Sequence, residues 1–80
     1  MDKQVKTYIV IWHGNEYTTD NFEKALNKAK EFTYGEVDYD TALILTRCEY
    51  YGDFPEVKIS SVQAIRWIHE GIYELVNLMI

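Results

Sequence analysis

Near the start of the chain, KTYIVIWHGNEYTT carries a run of β-branched and aromatic residues from Thr7 to Trp12. Strand side chains alternate, so Tyr8, Val10 and Trp12 share one face while Ile9 and Ile11 share the other. Gly14-Asn15 supplies positive φ at low cost and Glu16 to Thr18 return, which predicts a β-hairpin. In TDNFEKALNKAKEF the period lengthens: Phe22, Ala25, Leu26, Ala29 and Phe32 recur at the spacing of a buried helical stripe. Asp20 and Glu23 form a capping-box pattern at its start, and Lys24, Lys28 and Lys30 fill the solvated side. Gly35 then releases the chain through EVDYD.

TALILTRCEYY is a second strand, apolar on both faces from Ala42 to Leu45, which places it in the middle of a sheet. GDFP turns the chain, and EVKIS resumes as a shorter strand with Val57 and Ile59 on one face. Beyond it Ser60 and Gln63 repeat the capping pattern. Val62, Ile65, Ile68 or His69, Ile72, Leu75, Val76 and Met79 line a long stripe, predicting a second helix from Ser60 or Ser61 onward. Gly71 falls inside that helix, where it costs about 1 kcal/mol relative to alanine and permits close contact with the sheet or another chain.

The predicted order is ββαββα, an α+β fold in which one small, mainly antiparallel sheet packs against two helices as a single domain, residues 1–80. With both helices on one side, the other sheet face still shows large residues such as Tyr8, Val10 and Trp12. Such a patch marks a dimer or partner surface, and one of two functional readings is a self-associating structural module, a homodimer formed through the sheet face or through the C-terminal helix around Trp67 and Gly71.

A lone cysteine, Cys48, leaves no intramolecular disulfide, and MDKQVK enters the first strand with no apolar signal core; a cytoplasmic location is expected. Gln63, Arg66, His69, Glu70, Glu74 and Asn77 interrupt the most apolar stretch, so no membrane span is expected. His69 begins HEGIY, the first half of a zinc-protease helix, but Tyr73 stands where the second histidine belongs; no metal or other cofactor is expected. Cys48 on a central strand reads as a buried residue, not a nucleophile, since no base is placed beside it. Eight basic residues against thirteen acids argue against direct nucleic-acid binding.

The net charge of −5 is concentrated in one third of the chain. Residues 31–56 hold Glu31, Glu36, Asp38, Asp40, Glu49, Asp53 and Glu56 against Arg47 alone, together with four of the seven tyrosines. Carboxylates interleaved with tyrosines offer contact area at low entropic cost and a charge pattern complementary to a basic groove. The segments EFTYGEVDYD and RCEYYGDFPE therefore define a candidate partner-binding surface: Tyr34, Asp38, Tyr39, Asp40, Glu49, Tyr50, Tyr51, Asp53 and Phe54. They flank the strand from Thr41 to Cys48, whose length places them roughly 25 Å apart, so they form either two separate patches or an acidic band along an edge.

In its short length, acidic surface segments and lack of catalytic motifs, the chain resembles the small accessory and anti-defence proteins encoded by bacteriophages, including anti-CRISPR proteins. That resemblance implies a non-enzymatic inhibitor in the host cytoplasm. Its partner would be a host protein with a basic surface, and it would act by occluding that protein's nucleic-acid site.

Overall fold

The computed structural model describes residues 3–36 and 40–79. It holds strands β1 (Lys3–Trp12) and β2 (Asn15–Thr19), helix α1 (Phe22–Thr33), then strands β3 (Thr41–Tyr51), β4 (Glu56–His69) and β5 (Ile72–Met79). The strands form one antiparallel sheet in the order β2-β1-β3-β4-β5, so β3 is central, as its two apolar faces require.

The first hairpin turns through His13 and Gly14, at φ 46° and 78°, with Trp12 opposite Asn15. Positive φ at both central residues is the mark of a type I′ turn, whose twist matches that of the flanking strands. The turn thus falls one residue before the predicted Gly14-Asn15 pair. The helix begins one residue later than the capping box implied: Asn21 is the N-cap, its Oδ1 accepting from Lys24 N at 3.1 Å.

Only one helix is present among the described residues, and the expected ββαββα arrangement with two helices is incorrect. The segment predicted as a C-terminal helix is instead the β4–β5 hairpin, with His69 opposite Ile72 and Gly71 in its turn at φ 75°. The residues themselves explain the outcome. Val62, Ile65, Trp67, Ile68, Ile72, Tyr73 and Val76 are β-branched or aromatic and fit a pleated surface better than a helix. Val62 and Ala64 face one side of the sheet and Ile65 and Trp67 the other, so apolar residues on both faces together imitate a helical stripe, and bulges at Ile68 and Leu78 blur the alternation further. Ser60 does not cap a helix; its hydroxyl lies 3.2 Å from Cys48 Sγ and 3.4 Å from the Thr46 carbonyl oxygen.

Helix α1 lies on one sheet face, against β1, β2, β3 and β4. Ala25 and Ala29 meet Val10, Ala42, Ile44 and Ile65, all fully or almost fully buried, and the small helix residues let the two layers approach closely. Aromatic rings wall this core: Tyr8 meets Phe22 edge-on at 5.4 Å, and Trp12 stacks on Phe32 at 5.4 Å. Tyr8, Val10 and Trp12 therefore face the helix, correcting the expectation that they mark the open side. That side carries Ile9 and Ile11.

A twelve-residue helix is about 18 Å long, whereas the eleven residues of β3 extend about 36 Å. With Phe22 over Tyr8 and Phe32 beside Trp12, the helix covers only one end of the sheet. Beyond it, β1, β3 and β4 continue as a three-stranded arm, and the molecule is elongated, 47 × 22 × 21 Å. On the arm the helix-side face turns polar, with Gln4, Lys6, Tyr50, Glu56 and Lys58 in register.

Gly71 separates hairpin from helix by the sign of one mutation. In a helix interior Gly71→Ala would stabilise; in the observed turn, a Cβ at positive φ should cost about 1 kcal/mol or more. Gly71→Asn should cost less, because asparagine tolerates the left-handed region. Urea unfolding of the three proteins measures both differences.

Candidate functional site

The candidate surface divides between the two ends of β3. Tyr34, at the C-cap of α1, and Asp40, just before β3, lie at one end; Glu49, Tyr50, Tyr51, Asp53 and Phe54 lie at the other. Asp38 and Tyr39 lie outside the described residues. Ten residue steps along β3 separate the groups by about 33 Å, so they do not form one patch.

At the helix end the polar groups are engaged within the chain. Asp40 Oδ1 lies 2.5 Å from His13 Nε2 in the first hairpin turn. The Tyr34 hydroxyl donates to Glu70, 2.9 Å from Oε2 and 3.2 Å from Oε1, and its ring meets Trp67 edge-on at 6.0 Å. The hydrogen bond to Glu70, reinforced by that carboxylate's charge, raises the Tyr34 pKa above the usual phenol value. This contact ties the β4–β5 turn to the end of α1. Its structural role was hidden in the sequence because Glu70 stood in a presumed helix.

The other end is a projecting tip. Tyr50 is anchored: its hydroxyl accepts from Gln4 Nε2 at 3.3 Å, and Lys58 Nζ sits 5.4 Å from its ring centre. Arg47 pairs with Glu49 at 3.1 Å, and Glu49 also accepts from the Tyr51 hydroxyl, which raises the Tyr51 pKa. Past this locked base, Gly52, Asp53, Phe54 and Pro55 carry the chain round in the open. Phe54 is 91% exposed and Tyr51 48%. Tyr50, Tyr51, Gly52, Asp53 and Phe54 line a groove of about 320 Å³. Asp53 and Glu56 make no ion pair among the described residues.

Cys48 is buried, and the Ser60 hydroxyl beside its sulfur holds its thiol below the usual pKa while burial opposes this. Among the described residues no three His, Cys, Asp or Glu side chains gather to hold a metal ion. No helix among them is long and apolar enough to cross a membrane. The chemistry that the tip supports is contact with another surface: two aromatic rings on a braced hairpin, flanked by carboxylates.

The Tyr34–Glu70 contact has a pH signature. A raised folded-state pKa means its stabilisation is complete below the ordinary phenol pKa and disappears as pH rises through the raised one. Glu70→Gln should therefore let Tyr34 ionise at lower pH than in the wild type, as followed by NMR titration of the labelled tyrosine ring. Comparison with family models, curated proteins and solved structures finds no match to this chain.

Proposed function

We propose that the chain is a non-catalytic, protein-binding inhibitor or regulator whose binding element is the β3–β4 tip. The observation that carries this is Phe54, almost wholly exposed at the end of an arm whose base is fixed by the Arg47–Glu49–Tyr51 chain and by Gln4 and Lys58 on Tyr50. Burying a phenylalanine side chain is worth roughly 1.5–3 kcal/mol, and a braced support keeps the entropic cost of using it low. Apolar anchors ringed by polar groups are the usual centre of a protein–protein contact.

Charge narrows the partner. Lys3 opposite Tyr51 and Lys58 over Tyr50 stay at the base, while Asp53 and Glu56 flank the outermost aromatic ring, so the extremity fits a basic surface that offers an apolar pocket. The nucleic-acid site of a host complex meets both requirements, since carboxylates on a narrow hairpin can occupy positions meant for phosphates. Occlusion of such a site is the mode of action implied by the resemblance to phage anti-defence proteins. Tyr34 and Asp40, engaged with Glu70 and His13 at the far end, are left outside the element.

Tagged wild type and the variants Phe54→Ala and Asp53→Lys/Glu56→Lys should be used to capture proteins from a bacterial lysate at low and raised salt. The wild type should retain a nucleic-acid-binding complex and weaken that complex's hold on its nucleic acid in a gel-shift assay. Phe54→Ala should reduce affinity about tenfold or more, and the charge-reversed variant should lose the salt-sensitive part. Equal capture by all three proteins, recovery of the bait alone, or a captured complex with unchanged nucleic-acid binding overturns the proposal.

A further inference from the structure

The sheet face opposite α1 is apolar at its centre, and none of the described residues forms a layer upon it. Ile11, Leu43, Ala64 and Val76 form one cross-strand row, and Ile9, Leu45 and Val62 form the next. Val76 and Leu78 are 43% and 58% exposed, and with Ala64 they line a shallow depression of about 260 Å³. The same chain shows how it treats sheet surface meant for water. Where α1 stops, the helix-side face changes to Gln4, Lys6, Tyr50, Glu56 and Lys58; the centre of the opposite face makes no such change.

We infer that this open face is covered by a second copy of the chain, giving a two-fold dimer in which the sheets pack face to face. Charge favours a copy as the occupant. The chain carries a net charge of −5, yet the open face carries Lys3, Arg47 and Arg66 against Glu16, Glu49 and Glu74, so it is neutral and does not repel its own image. Arg47 with Glu49 and Arg66 with Glu74 are paired within the chain at 3.1 and 3.2 Å, so closing the interface strands neither pair without a partner. A strongly basic partner finds no excess of acid here.

Area agrees with the same occupant. At the usual strand spacing and rise per residue, the whole open face, arm included, spans roughly 750 Å², so a dimer that covers most of it comes near the roughly 800 Å² that each partner contributes to a standard stable interface. Face-to-face packing of two sheets is also a standard way to bury apolar surfaces about 10 Å apart. Leu45, near the centre of the patch, lies about 20 Å along β3 from Tyr51, which leaves both tips clear of the centre of the interface.

Sedimentation equilibrium across the micromolar range tests this directly. The wild type should sediment at twice the chain mass, and Phe54→Ala should do the same. Ala64→Lys and Val76→Lys each place a charge in the covered patch and should raise the dimer dissociation constant at least about a hundredfold. Val76 lies on an edge strand and is partly exposed in the single chain, so Val76→Lys should retain the wild-type circular dichroism spectrum even if Ala64→Lys unfolds. A wild type that stays monomeric at high micromolar concentration overturns the inference, as does a dimer that a folded Val76→Lys protein forms with unchanged affinity. A monomer whose open face is protected from hydrogen exchange only when another protein is added also overturns it, and assigns the face to that protein.

Discussion

A single short helix laid over a sheet twice its length sets the rest of this structure. Ala25 and Ala29 bring α1 close to Ala42, and Tyr8, Phe22, Trp12 and Phe32 close the sides, so the helix side of the sheet acquires a dense core. That core is local. It leaves part of the sheet length without cover on the helix side, and the whole of the opposite face without a layer of its own. The first shortage is resolved by polar residues on the arm, while the second persists as an aliphatic field on β1, β3, β4 and β5.

The two surfaces that result differ in chemistry and suit different tasks. The tip is small, aromatic and acidic, with rings held by ionic and hydrogen-bonded supports in the last turns of the ladder. The open face is broad, aliphatic and neutral. A protein of this size that presents both can use one for its own assembly and the other for recognition, and two copies joined by the face would carry two tips. Linked binding elements gain effective concentration without any new contact, provided the partner offers two sites at the matching span.

Much of the sheet was legible in the sequence because Thr7–Trp12 and Thr41–Tyr51 are dense in β-branched and aromatic residues, and the helix was legible because Phe22, Ala25, Leu26, Ala29 and Phe32 keep a clean period. The C-terminal third was not. Val62 and Ile65 lie on opposite faces of β4 and both faces are apolar, so their spacing looked helical, and Ser60 and Gln63 supplied a false cap. The signal that separates the alternatives is Glu70-Gly71 between two β-rich runs, a turn dipeptide with glycine at the position that needs positive φ. For the candidate surface, composition located the exposed aromatic tip, and the strand between its two segments already implied ends roughly 25 Å apart, but Tyr34 and Asp40 were grouped with the tip on charge alone. Charge tallies along a chain carry no distance, and β3 holds the two groups apart. The open face was assigned to the wrong residues because alternation shows that two faces exist without showing which one the helix chooses.

The sheet order also separates pairings that close short loops from one that closes a long loop. β3, β4 and β5 are joined by tight turns, so their pairing closes short loops and can begin soon after collapse. β1 reaches β3 only across the whole helix, with partners 32 to 48 positions apart, from Ile11–Leu43 to Lys3–Tyr51. That closure carries the largest entropic cost; α1 can meet β3 and β4 before it is made, but its contacts with β1 wait for it. Until β1 pairs, the C-terminal meander presents β3 as an unpaired edge, the kind of edge that templates association with other chains.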